Sequence, residues 1–142
     1  MIKRSASAIW LGNLKQGKGT LSSDSGVLHD TPYSFQNRFE GTKGTNPEEL
    51  IAAAHAGCFT MAFSMALGLG GFTPDRLETT AAATLEQING DWVISKILLT
   101  TKAKVPGIDK AKFDAIAAQA KAGCPVSKVL KAEITLNATL ES

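Results

Sequence analysis

The sequence predicts an α+β domain in which antiparallel strands surround one long buried central helix. Three observations carry this reading. Short alternating segments separated by Gly- and Asn-containing turns fill the first 40 residues. An unbroken apolar stretch follows an N-terminal helix signal at Thr45-Asn46-Pro47-Glu48-Glu49. Two long strand-like runs then flank Asn89-Gly90, the preferred pair for a type I′ hairpin turn.

In order along the chain, Ser5 to Leu11 and Gly19 to Ser22 are expected strands. Tyr33 to Phe39 alternates aromatic and polar residues, so a further strand is expected, with Tyr33, Phe35, Asn37 and Phe39 on one face and Arg38 on the other. The helix opened by Thr45 or Asn46 carries carboxylates near the positive end of its dipole and is expected to run to Leu67, stopping within Gly68 to Gly71. It has almost no polar face, and a helix of that kind is buried nearly all round. The run is about long enough to span a bilayer. However, Ala, Gly, Ser, Thr and His make up much of it and flanking Trp and Arg anchors are missing, so no membrane is expected. One small domain has little interior to enclose such a helix, and a second copy would supply the rest. A homodimer is therefore expected, with this helix near its centre.

The hairpin strands are expected at Leu77 to Ile88 and Trp92 to Val105. A second helix spans Asp109 to Ala122, with Phe113, Ile116, Ala117 and Ala120 as its apolar stripe. A short third helix, Val126 to Leu130, follows Cys124-Pro125, and the last strand is Ala132 to Leu140. No repeat or linker interrupts the 142 residues, which form one expected domain, 1–142.

The 44% hydrophobic and 20% charged composition is that of an ordinary globular protein. A net charge of +2, without a run of like charges, gives no footprint for nucleic acid. The N-terminus lacks a continuous apolar core of signal-peptide length, so a cytoplasmic location is expected. No metal or other cofactor is expected, because His29 and His55 stand in no ligand-spaced cluster.

The two cysteines, Cys58 and Cys124, hold the chemistry. In a reducing compartment they are either buried free thiols or a transient catalytic pair. Cys58 lies mid-helix among Ala, Gly, Phe and Met, where burial raises a thiol pKa and suppresses reactivity. A reactive Cys58 therefore needs a cation. His55 shares its helix face but equally fits a neutral core histidine. Arg38 is always charged and offers a planar fork of donors, although a solvated strand residue is its simpler reading. Glu48 either holds that guanidinium in a bidentate pair or merely caps the helix. Cys124, at a helix start, has free N–H groups nearby and the access a resolving thiol needs. Composition and spacing alone leave a dithiol protein of open chemistry.

At these residues the chain resembles the OsmC/Ohr family of organic hydroperoxide reductases. Thr45-Asn-Pro-Glu-Glu-Leu-Ile-Ala-Ala-Ala-His-Ala-Gly-Cys-Phe-Thr-Met-Ala62 is similar to its Asn-Pro-Glu…Cys-Phe signature, and Ala122-Gly-Cys-Pro-Val-Ser127 to its downstream cysteine motif. The resemblance is closer to the OsmC branch, and it covers nearly the whole chain. It implies an OsmC-like fold, an intertwined homodimer and a single peroxidase domain. It also implies thiol-dependent reduction of organic hydroperoxides in oxidative or osmotic stress, with an external dithiol as reductant. By the match, Cys58 is the peroxidatic and Cys124 the resolving cysteine, and Glu48 is the site carboxylate. Arg38 is the best match to the site arginine, since Arg4 and Arg76 are the other arginines. Phe59, Met61 and Phe39 near Cys58 favour an alkyl or lipid hydroperoxide. Glu48 and Cys58 are ten positions apart on one helix, roughly 15 Å along its axis. Both can serve one site only if Glu48, with Arg38, comes from the other subunit. The competing readings are a general thiol–disulfide oxidoreductase, which the missing Cys-x-x-Cys disfavours, and a non-enzymatic stress protein.

Overall fold

The computed structural model describes residues 1–40 and 43–142. Strands β1 (Ala6–Leu11), β2 (Lys18–Ser23) and β3 (Thr31–Tyr33) come first, followed by helices α1 (Phe35–Phe39) and α2 (Pro47–Leu69). Then come β4 (Arg76–Ile88), β5 (Asp91–Lys104), α3 (Lys110–Gly123), α4 (Pro125–Val129) and β6 (Glu133–Glu141). The chain divides into two compact units, Met1–Leu50 and Ile51–Ser142.

The first unit holds the antiparallel sheet β1-β2-β3. The strand expected over Tyr33 to Phe39 ends at Tyr33, and Phe35–Phe39 is one helical turn. Two local interactions favour the turn. The Ser34 hydroxyl oxygen accepts from the Asn37 N–H at 3.1 Å, a side-chain N-cap. Phe35 and Phe39, four apart, stack with ring centroids 4.7 Å apart. The same aromatic spacing suits alternation on a strand, and the cap decides between the two. Asn37 is consequently buried and Arg38 falls in the last turn of α1.

Helix α2 begins as its sequence demands. Asn46 Oδ1 accepts from the Glu49 N–H at 2.8 Å, and the Thr45 hydroxyl donates to Glu49 Oε2 at 2.6 Å. It ends in a Schellman pair: Phe72 N–H donates to the Leu67 carbonyl at 2.9 Å and Gly71 N–H to that of Gly68 at 3.0 Å. Gly71 takes the left-handed φ of 87° this requires.

The second unit holds the sheet β4-β5-β6. Asn89 and Gly90 have φ of 52° and 87° and close the antiparallel β4–β5 hairpin. Here the expectation of purely antiparallel sheets is corrected, because β6 runs parallel to β5, from Lys96↔Glu133 to Lys104↔Glu141. The intervening α3 and α4 supply the long helical crossover that a parallel pair needs. Asp109 caps α3, accepting from the Lys112 N–H at 2.8 Å, and the helix buries Phe113, Ala117 and Ala120.

Within this one chain α2 is not buried all round. His55, Phe59, Phe63 and Leu67 are fully buried, four residues apart. Met61, Met65 and Leu69 on the other side are exposed at 73%, 66% and 83%. By length and composition α2 would also suit a membrane span. Its buried stripe joins one core cluster with Ile97, Leu99 and Ala103 of β5 and with α3. Phe63 sits between Phe59 and Phe113, with centroids at 5.6 and 5.5 Å. Truncating Phe63 to Ala should therefore cost about 3–5 kcal/mol, read as a lowered urea midpoint, whereas Ser64→Ala on the exposed side should change it little.

Candidate active site

The structure brings the four predicted site residues together as two pairs, one in each unit. The first is Arg38 with Glu48. The last turn of α1 is tied to the start of α2 by Asn46 Nδ2 donating to the Asn37 carbonyl at 3.3 Å. This sets the guanidinium beside the Glu48 carboxylate. Arg38 Nε and Nη2 both donate to Oε1, at 2.9 and 2.5 Å. The expected two-oxygen fork is thus a fork on one oxygen, and Oε2 is buried without a partner among the described residues. The Glu48 side chain is 9% exposed and that of Arg38 37%, so the guanidinium still reaches the surface. It also borders an apolar cavity of about 280 Å³ lined by Trp10, Leu14, Tyr33, Phe35 and Pro47.

The second pair is Cys58 with Cys124, both free thiols. Their burial is the reverse of what their sequence settings imply. Cys124 is fully buried, while Cys58 is only partly so. The α2 stripe explains Cys58, which stands one residue before Phe59 and so lies about 100° round the helix, at the edge of the buried face. Cys124, between α3 and α4, joins the core cluster with Ala117 and Ala120.

The two thiols act on each other. Burial pushes the Cys58 thiol up. The neighbouring Cys124 thiol pushes it further, against an opposing pull from the Val126 backbone. Burial acts on Cys124 in the same sense. It is outweighed by the Cys58 thiol, the Ser127 backbone and hydroxyl, and the Val126 backbone, so this thiol lies below its usual range.

Two neighbours complete the cluster. His55, one turn before Cys58 and Phe59, is fully buried, and its Nε2 lies 2.8 Å from Ser127 Oγ. Burial lowers its pKa, which fits the neutral core histidine its apolar helix implied. Ser127 lies within the second motif, Ala122 to Ser127, where residue type alone assigns it no role. The available signal was its place three residues after Cys124, at the N3 position of α4, which faces back to the N-cap. Phe59 is wholly in the core, whereas Met61 and Phe39 are exposed. Among the described residues, no three His, Cys, Asp or Glu side chains gather as metal ligands would.

Residues 40–139 match the family described as OsmC-like protein. The chain belongs to the OsmC-like family. It is 56% identical to Peroxiredoxin OsmC of Escherichia coli strain K12 over 141 residues, 99% of each chain. It is 31% identical to an organic hydroperoxide resistance protein of Xanthomonas axonopodis pv. citri over 101 residues, covering 70% of this chain and 69% of that one. The crystal structure of the organic hydroperoxide resistance protein OhrB of Bacillus subtilis superimposes with a TM-score of 0.69 at 26% identity, over 96% of this chain and 98% of that chain. These matches bear out the resemblance and the α+β fold.

A buried, neutral His55 has a consequence for stability. Its folded pKa lies below the ordinary 6.5, so stability is full above that value and is lost as pH falls below it, where the unfolded chain takes up a proton the folded chain resists. Melting temperatures between pH 7.5 and 5 should fall more steeply in the native chain than in His55→Leu.

Proposed function

We propose that this member of the OsmC-like family is a thiol peroxidase that reduces organic hydroperoxides to alcohols in oxidative or osmotic stress defence. Cys58 attacks and Cys124 resolves. The observation that carries this assignment is that two free thiols of unequal burial meet the same core cluster, Cys58 being the one a substrate can reach. The 56% identity to a peroxiredoxin and the 31% identity to an organic hydroperoxide resistance protein support the reaction class.

In the cycle, the Cys58 thiolate attacks the terminal oxygen of ROOH. The O–O bond breaks, ROH leaves after taking a proton, and Cys58 becomes a sulfenic acid. The Cys124 sulfur then displaces the hydroxyl and forms the Cys58–Cys124 disulfide, which an external dithiol reduces. Arg38 supplies the cation that the raised Cys58 thiol needs, and Glu48 holds it. The ten-residue interval along the unbroken α2 supports their coming from a second subunit. The exposed side of α2, with Met61, Met65 and Leu69, supports burial in a homodimer. The apolar lining beside Arg38 suits an alkyl hydroperoxide. The protein acts as a single-domain cytoplasmic enzyme without a metal or other cofactor.

Consumption of cumene hydroperoxide with a dithiol should be abolished in Cys58→Ser, and equal activity in both proteins would exclude the reading. Arg38→Met should lower kcat/KM by about 10²–10³-fold, as loss of a preorganised charge does. Insulin reduction at a rate matching peroxide consumption would favour a general oxidoreductase instead. Light scattering should give a dimer for the native chain and a smaller species for Met61→Glu/Met65→Glu; a native monomer would remove the shared site.

A further inference from the structure

The fully buried His55 and the half-buried Ser127 form a polar pair at the edge of the core, and the cycle above leaves both unused. His55 Nε2 lies 2.8 Å from Ser127 Oγ, and the imidazole is fully buried. Ser127 stands at N3 of α4, on the turn that opens at Cys124, and its hydroxyl pulls the Cys124 thiol down. Through that one hydroxyl His55, 72 positions before Ser127, is linked to the resolving thiol.

The direction of that link follows from the other ring nitrogen. His55 Nδ1 is buried without a partner among the described residues. A buried N–H without an acceptor is rarer and costlier than an unpaired acceptor. The proton therefore sits on Nε2, which donates to Ser127 Oγ. The single Ser127 hydroxyl proton is then free to point at Cys124, so both hydrogen bonds run toward the sulfur and favour its thiolate. Burial keeps the imidazole neutral, so it is a fixed dipole rather than a second charge.

We propose that His55 and Ser127 are positioning residues for resolution, acting in series to hold Cys124 as the thiolate that attacks the Cys58 sulfenic acid. The proposal rests on the peroxidase reading above. In the step they serve, an electron pair of the Cys124 thiolate forms the S–S bond as the Cys58 S–O bond breaks. Hydroxide leaves and takes a proton from solvent, so sulfenic sulfur is reduced and Cys124 is oxidised. The titratable groups beside Cys124 are Cys58 and His55 of α2, while the charged side chains on the flanking helices are Lys110, Lys112, Asp114 and Lys121 of α3 and Lys128 of α4, of which Lys121 and Lys128 stand in the turns next to Cys124.

Two measurements test this. The first needs no peroxide. In a Cys58→Ser background Cys124 is the sole thiol, and its ionisation can be followed by thiolate absorbance. Adding Ser127→Ala or His55→Leu should raise the midpoint by about one pH unit, a loss typical of one hydrogen bond to a charged sulfur. His55→Gln, whose amide N–H can replace Nε2–H, should restore most of it. Midpoints within about 0.2 unit of the parent would overturn the relay.

The second is single turnover of the chain with both cysteines. In Ser127→Ala, disulfide formation should slow about tenfold more than sulfenic acid formation, a difference of about 1.4 kcal/mol between the two barriers. Dimedone-trapped Cys58 should accumulate. Equal slowing of both steps would mark a merely structural role and overturn the proposal. A native chain that forms no sulfenic acid would sink the peroxidase reading instead, and the titration would still decide the relay.

Discussion

One stripe of α2 sets the geometry of the larger unit. His55, Phe59, Phe63 and Leu67 recur every four residues, and all are fully buried. A four-residue step overshoots a 3.6-residue turn by about 40°, so the buried line winds slowly round the helix instead of running straight along it. At its C-terminal end the line carries Phe63 and Leu67 into the apolar cluster with Phe113 and β5. At its N-terminal end it carries His55 toward α4 and leaves Cys58 on the flank. Core and thiol site are thus two ends of one packing interface. Exposure of Cys58 is a by-product of the register that buries Phe59.

The parts legible in the sequence are those fixed by local chemistry. Asn46-Pro47 with Glu49 marks the start of α2, Gly71 its end, and Asn89-Gly90 the hairpin, because each satisfies backbone groups within a few residues. The parts that were not legible depend on partners distant in sequence. Phe35 and Phe39 suit a strand face and a helical turn equally, and only the Ser34–Asn37 cap separates the two. The parallel β6 follows from where α3 and α4 deliver the chain, which strand periodicity does not record. Arg38, Glu48, Cys58 and Cys124 are candidates through motif resemblance, since residue type alone fits inert roles for all four. The Ser127 contact with His55 is not legible at all, because the two lie 72 positions apart.

The two sulfurs also constrain each other in a way that orders the chemistry. Neighbouring thiols titrate as a pair, and one thiolate raises the cost of the second. Inside the Ile51–Ser142 unit the net bias runs toward Cys124: burial and the Cys124 thiol push Cys58 up, and the Cys58 thiol, the Ser127 hydroxyl and the α4 backbone together outweigh burial at Cys124. An attacking Cys58 must therefore draw its stabilisation from outside the pair, which is the part a guanidinium such as Arg38 can play. In the proposed cycle Cys58 carries no charge once it is a sulfenic acid, so no neighbouring thiolate opposes that of Cys124. The same bias that delays attack then favours resolution. A cation for the first step and a neutral hydrogen-bond chain for the second need no switch between them, because oxidation of Cys58 itself passes the charge from one sulfur to the other.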